Sequence, residues 1–436
     1  QLSIPTKFLT PIKINNYNEI PSYIDQLLDI KEKAEEEKNP EKKLLLEQLK
    51  ASEKEKEALE KKLDKEKDKN KSQALLLKRE ANNHFRSGLK HHMAEEYLDA
   101  NEEYKTASEL NPESSEAYYN WGTALTELAK TKSGNEAEEL YNEAIKKYKE
   151  AIKINKDYYE AYNNWGFALM ELAKTKSGSE TEELCNKAVE KYDKATQIKQ
   201  NFPEAYFNWG SVLGDLAQTK SGNEAEELFK EAFEKYDLAI TYKQDYHEAY
   251  YNWGVALVEL AETKSGNEAE ELYKEACKKY DKAITYKQDN HQAYNNWGIA
   301  LKELAMTKSG NEAEKLYKEA FEKYKLATTY KRDKHEAYNN WGLALMEMAK
   351  TKSGTEAETL YNEAVEKYKL AIKHGGEAYN LACLYAIRNQ KEEALKYLEQ
   401  TLARNEITVE FVEQDEDWKE LRNDPDFQDL LSRYKK

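Results

Sequence analysis

The feature that most constrains this chain is a period. Trp121, Trp165, Trp209, Trp253, Trp297 and Trp341 stand 44 residues apart, and each is followed by glycine. The stretch TKSGNEAEELY at 131–141 keeps the same interval, with close copies starting at Thr175, Thr219, Thr263, Thr307 and Thr351. Ala144, Tyr148 and Ala151 recur in step, for instance as Ala276, Tyr280 and Ala283. Spacings of three and four place these side chains on one helical stripe. Each unit is therefore two amphipathic helices that cannot bury their apolar faces alone, and stacking the units makes a continuous core.

The Lys-Ser-Gly run is punctuation in this reading. A phosphate-binding loop needs Gly-Lys-Ser/Thr order after a strand, whereas here Lys-Ser-Gly follows a helix. Gly134, Gly178, Gly222, Gly266, Gly310 and Gly354 suit a helix end at positive φ. The next residue (Asn135, Ser179, Asn223, Asn267, Asn311 or Thr355) is a good N-cap, and Glu138 to Glu358 follow three residues later, so a capping box is expected. The other turn predicts the same device, with Asp157, Asn201, Asp245, Asp289 and Asp333 as caps.

Composition narrows the function classes. A net charge of −16 over 436 residues argues against nucleic acid or an anionic membrane surface and favours basic partners. No apolar run is long enough to span a bilayer. Cys185, Cys277 and Cys383 are too scattered for a disulfide framework or a thiolate metal site, and they fit a reducing, cytoplasmic setting. The first residue is Gln1, which leaves room for an upstream leader or domain. His247, His291 and His335 belong to different repeats, and His91-His92 is expected to lack a nearby third ligand, so no metal site is expected. No catalytic constellation or cofactor-binding motif is present, and the expectation is a non-enzymatic protein.

These helix pairs resemble the tetratricopeptide repeat. Trp-Gly fills its large–small signature in helix A, and Ala144, Tyr148 and Ala151 fill the small–aromatic–small stripe of helix B. Ten additional residues separate the two signatures: Asn120 to Ala144 spans 24 residues, and Asn380 to Ala394 spans 14. The resemblance implies an all-α fold, a right-handed α-solenoid superhelix. Residues 1–40 are expected to be extended with a short helix at Tyr23 to Asp29, and 41–77 to form one long charged helix with a weak coiled-coil seam through Leu49, Leu59, Leu63 and Leu77, interrupted by Lys56, Glu66 and Asn70. A first repeat at 78–115, six 44-residue repeats at 116–373, a closing repeat at 374–403 and a C-terminal cap at 404–436 complete the expected order.

In the family, peptides bind the concave surface made by the A helices. The residue before each Trp is Asn120, Asn164, Asn208, Asn252, Asn296 or Asn340, and Asn380 matches it in the closing repeat. A carboxamide can pair with both C=O and N–H of an extended peptide. The row resembles the asparagine ladder of O-linked N-acetylglucosamine transferase; the other reading is a bridge between repeats. Seven residues after each Asn comes an acid: Glu127, Glu171, Asp215, Glu259, Glu303 and Glu347. An amide floor with acidic walls favours an extended basic and apolar segment. The chaperone-binding carboxylate clamp of the family finds its first elements matched in Lys78, Asn82 and Asn120 but is disfavoured, because its later Lys and Arg fall on Glu160 and Asn164. The expected role is a protein-binding scaffold or adaptor. The alternatives are a self-assembling structural protein, joined through its grooves or its N-terminal helix, and a regulatory subunit of a separate enzyme.

Overall fold

The computed structural model describes residues 40–435, and among these every regular element is helical. The extended segment and short helix expected before residue 40 lie outside the described residues. The chain divides into two compact units, Gln1–Ile198 and Lys199–Lys436. The first unit contains α1 (Pro40–Leu63), α2 (Lys69–Met93), α3 (Tyr97–Leu110), α4 (Ser115–Lys130), α5 (Gly134–Ile154), α6 (Tyr159–Ala173) and α7 (Ser179–Ile198). In the second, α8 (Pro203–Gln218), α9 (Gly222–Tyr242), α10 (His247–Glu262), α11 (Gly266–Tyr286), α12 (His291–Met306) and α13 (Gly310–Tyr330) are followed by α14 (His335–Lys350) and α15 (Gly354–Lys373). It closes with α16 (Tyr379–Ile387), α17 (Lys391–Ala403), α18 (Val409–Gln414), a 3-10 turn at Glu416–Trp418, and α19 (Pro425–Tyr434). From α2 to α17 the helices pack as consecutive antiparallel A/B pairs, the even-numbered helix of each pair being A.

One contact organises every pair. The fully buried Tyr148 of α5 lies on bare Gly122 of α4, and Tyr192 lies likewise on Gly166. In the second unit Tyr236, Tyr280, Tyr324 and Tyr368 cover Gly210, Gly254, Gly298 and Gly342. A Cβ on any of these glycines would stand 2.5–2.9 Å from a ring carbon, closer than packed atoms tolerate. The α2/α3 pair repeats the contact with Gly88 and Tyr104.

The tryptophans are packed less deeply than a core signature suggests. Trp209 is buried at 8 % exposure, but the other five repeat tryptophans are half-buried. Each carries a lysine of its own B helix over the ring, with Nζ–centroid distances of 3.6 Å for Lys147 on Trp121, 3.2 Å for Lys279 on Trp253 and 3.4 Å for Lys323 on Trp297. The lysine stems shield the indoles while the ammonium groups meet the π-faces.

The inserted stretch stops helix A and restarts helix B, although not with the expected caps. The six glycines take φ of +58° to +63°. Thr131 donates to the Leu128 carbonyl at 2.7 Å, and its counterparts do the same. The predicted Asn135–Glu138 capping box is absent, because Glu138 is engaged elsewhere: its carboxylate accepts from Lys176 of the next repeat at 2.5 Å. Glu270 pairs with Lys308 at 2.5 Å and Glu314 with Lys352 at 2.6 Å, and Glu226 with Lys264 and Glu358 with Arg388 complete the series in the second unit. The TKSG lysine is thus a clip between neighbouring repeats. The caps expected at the other turn fall one residue later. Tyr158, Phe202, Tyr246 and Lys334 precede the helices without a side-chain cap bond, whereas Asn290 accepts from the Ala293 amide at 3.1 Å and Ser114 from the Ala117 amide at 3.2 Å. Aromatic packing replaces capping there, with ring centroids 4.9 Å apart for Tyr119–Tyr158 and 5.1 Å for Phe207–Tyr246.

The single helix expected over 41–77 is two. Asp68 accepts from the amides of Asn70 and Lys71 and starts α2, so α1 turns back on it. This lets Leu45 and Leu49 join Leu89, Ala100, Tyr104 and Ala124 in one cluster, and Leu59 is buried too. Burial within the chain therefore takes up Leu49 and Leu59 of the expected seam, whereas Leu63 is half-buried and Leu77 stays exposed. At the other end Trp418, Leu421, Phe427, Leu430 and Leu431 fill a core with Leu381, Leu384 and Leu398.

Candidate binding face

Polar side chains of each A helix recur at fixed offsets from the glycine under the tyrosine. Two residues before it stands the asparagine, five after it the acid. Asn120 is buried at 1 % exposure and donates to the Glu116 carbonyl of its own helix at 2.9 Å. The others are half-buried, and the amides of Asn164, Asn252, Asn296, Asn340 and Asn380 reach back to the preceding A helix. Asn164 donates to the Tyr119 hydroxyl at 3.2 Å, Asn252 to Ser211 at 3.2 Å and Asn296 to Tyr251 at 3.1 Å. Asn340 donates to Asn295 Oδ1 at 3.1 Å and Asn380 to Asn339 Oδ1 at 2.9 Å. Asn208 is partnered as well. The amide donor thus ties one repeat to the next. Two of the carboxamide oxygens accept from a neighbour on the same helix, Asn164 from Asn163 and Asn296 from Asn295.

The acids form a row in each unit. Glu127 and Glu171 pair with Lys130 and Lys174 at 2.5 and 2.6 Å, and Glu347 pairs with Lys350 at 2.8 Å. In the middle of the second unit that lysine is missing: Gln218, Glu262 and Met306 stand three residues after Asp215, Glu259 and Glu303. Glu259 accepts from Gln218 at 2.7 Å. Burial raises its pKa to about 7, despite that hydrogen bond, with the charges of Asp215 and Glu262 adding to the shift. Burial also raises Glu262, followed by the charge of Glu303. Glu303 keeps a cation, the Lys302 ammonium at 2.5 Å. B-helix phenols lie beside the row: burial, then the charges of Glu303 and Glu262, moves Tyr273 to about 12.

Two features were hidden from the sequence reading. Gly214 occupies a place held elsewhere by Thr126, Met170, Val258, Lys302 and Met346. A Cβ there would meet only the Tyr236 hydroxyl, at 4.0 Å, so the face carries a notch beside Asp215. In the first pair the asparagine register is held by Arg86, two residues before Gly88. Counting back from that glycine, across the ten-residue difference, is the signal that finds it. Lys78 and Asn82, matched to the first clamp elements, face α1: Asn82 donates to Glu55 at 3.1 Å.

Possible ion-binding groups were also drawn together by the fold. The turn after α2 brings His91 Nδ1 to 2.7 Å from Glu96, with Asp99 completing the cluster, so His91 does have further ligand-type groups nearby, contrary to expectation. Cys383, Asp415 and Asp417 form a second cluster at the C-terminal cap. His247, His291 and His335 are half-buried or partly exposed and belong to neither.

Comparison with known proteins finds the repeat at two places. A profile for the TPR repeat matches residues 139–172, and one for the tetratricopeptide repeat matches 378–415. No curated protein matches the chain. Among solved structures, the C-terminal part of a TPR repeat-containing protein from Cytophaga hutchinsonii is similar at 15 % identity, covering 67 % of this chain and 99 % of that one, with a TM-score of 0.47. A tetratricopeptide repeat protein from Parabacteroides merdae aligns at 13 % identity over 68 % and 94 % of the two chains, with a TM-score of 0.43. A thermophilic TPR protein from Thermus thermophilus aligns at 16 % identity over 51 % and 98 %, with a TM-score of 0.38. With the repeat profiles matched at two places and the Gly–Tyr helix pairs running between them, the chain belongs to the tetratricopeptide-repeat family.

Proposed function

We infer that this protein-interaction scaffold takes an extended segment with basic and apolar side chains along its A-helix face. The observation that carries this reading is the acidic stretch Asp215, Glu259, Glu262 and Glu303, in which Glu259 is held near neutrality by burial and by the neighbouring carboxylates. A cation placed there relieves that repulsion, so Glu259 ionises as the ligand binds. The carboxamide row contributes acceptor oxygens to ligand N–H groups, while its donors serve the repeats. Val255 and Ile299, three residues after their asparagines, offer apolar contact between the acids.

The test uses the full chain and a fluorescent peptide of alternating Lys and Leu. Binding should weaken with salt, and Glu259→Gln with Glu303→Gln should lower affinity roughly tenfold or more, because charged hydrogen bonds contribute about 1.5–3 kcal/mol each. Equal affinity in the double variant and the parent would overturn the reading.

A further inference from the structure

Cys383 stands three residues after Asn380, the place that Val255 and Ile299 hold in earlier repeats. Here the 3-10 turn at Glu416–Trp418 packs against its helix, α16. The turn sets two carboxylates beside the thiol: Cys383 Sγ, an oxygen of Asp415 and an oxygen of Asp417 lie within 4.8 Å of one another. Cys383 is 4 % exposed, whereas both aspartates are half-buried and keep a path to solvent. The three groups come from two elements, so anything they hold in common fastens the C-terminal cap to the last helix pair. Sequence spacing excluded a set of thiolates, and this cluster needs only one.

The aspartates are oriented from outside the cluster. Trp418 Nε1 donates to the Tyr379 hydroxyl at 3.2 Å, and Tyr379 donates in turn to Asp415 Oδ2 at 2.7 Å. The Asp417 amide donates to Asp415 Oδ1 at 2.9 Å, and Arg422 holds the Asp415 carbonyl at 3.0 Å. Carboxylates that ligate metals are oriented by partners of this kind. A separate observation points to a ligand. Tyr368 of α15, 2 % exposed, packs in the same core as Cys383, and among the described residues its hydroxyl has no hydrogen-bond partner. The charges acting on that hydroxyl are those of Cys383, Glu347 and Asp417, which directs it at the cluster. The equivalent phenols of α5 and α9 meet hydroxyls instead, Tyr148 at Thr126 (3.1 Å) and Tyr236 at Ser211 (3.4 Å). A thiol is a weak acceptor for a buried O–H, whereas a charged thiolate accepts strongly.

We propose that Cys383, Asp415 and Asp417 form a site for a divalent ion of the zinc class, and that the ion fastens the cap to the last helix pair. One thiolate with two carboxylates selects a borderline metal such as Zn²⁺ or Co²⁺ over Ca²⁺ or Mg²⁺, which take oxygen ligands alone. Three protein ligands leave the fourth tetrahedral position to solvent. Donor atoms of such an ion stand about 3–4 Å apart, so the three groups close in by roughly an ångström. As the metal–sulfur bond forms, the Cys383 S–H gives its proton to solvent, and no electron is transferred. The Tyr368 hydroxyl then gains the thiolate as its acceptor. The peptide reading of the A-helix face plays no part in this site.

Co²⁺ added to the chelator-treated full chain tests the site. A thiolate-to-cobalt absorption band should appear in the near ultraviolet and saturate at one ion per chain, with one proton released per ion. Cys383→Ala should abolish the band, and Asp417→Asn should weaken binding roughly tenfold or more. Cobalt bound without that band would overturn the proposal, and so would a band that survives Cys383→Ala, the ion then lying at His91, Glu96 and Asp99 or at another thiol. Zn²⁺ should also slow hydrogen exchange in the unsubstituted chain at 379–387 and 409–434. If Cys383→Ala loses helicity, that exchange measurement decides: no protection there, or protection confined to other helices, would overturn the site.

Discussion

The ring of Tyr280 rests on the bare backbone of Gly254, 2.6 Å from where a Cβ would stand. The same relationship fastens helix B to helix A in every long repeat, so the glycine after each tryptophan is a packing residue rather than a hinge. Gly254→Ala is expected to cost about 1–3 kcal/mol through overpacking. Gly214→Ala is the contrast, since its Cβ meets only Tyr236 Oη at 4.0 Å. Replacing a helical Gly by Ala there should gain about 0.5–1 kcal/mol. Denaturant unfolding of the two variants checks the pair.

Gly266 has no atom near its absent Cβ, yet takes φ of +60°. Gly266→Val should therefore destabilise by about 1–3 kcal/mol through backbone strain alone. Thermal unfolding reads the cost, and peptide affinity of the folded variant should not change.

Glu259 makes stability fall as pH rises. Its folded pKa, about 7, lies above the ordinary carboxylate value, so its favourable contribution is complete below about 4.5 and is lost as pH passes through about 7. The melting temperature should drop between the ordinary value of 4.5 and about pH 7, and Glu259→Gln should flatten that part of the profile.

The clips titrate in the opposite sense. Hydrogen bonds from Lys230 and Lys264 hold Glu226 down to about 2. Its contribution is present above the ordinary carboxylate value and is lost as pH falls through about 2. Lys264→Met should lower stability only slightly at pH 7, as the loss of an exposed pair does, and by less at pH 2. Urea midpoints at the two pH values measure the difference.

Asn252, Asn296 and Asn340 each donate between repeats. Changing all three to Ala should lower stability by about 0.5–1.5 kcal/mol per bond. Peptide affinity of the folded triple variant then measures what the carboxamide oxygens add. Unaltered stability would show that the bridging bonds contribute nothing.

The amino-acid sequence by itself determined the helix pairs. Gly122 and Tyr148, with Ala144 and Ala151 beside the ring, recur at a fixed interval, and a repeated local pattern can be read without knowing what it touches. Gly134 and its counterparts were legible for the same reason, because a positive φ is a local demand. What tertiary structure decided is where multivalent side chains spend their bonds. Glu138 could cap its own helix or reach Lys176, and Asn252 could serve a ligand or Ser211; sequence spacing is equal for both, while distance across the packed repeats is not. Leu49 could face a partner or fold back on Leu89, and only the break at 64–68 places it in the chain's own core. Glu259 reads like its neighbours in the row until packing removes water and brings Asp215 and Glu262 close, since a pKa is set by the surroundings that the fold assembles.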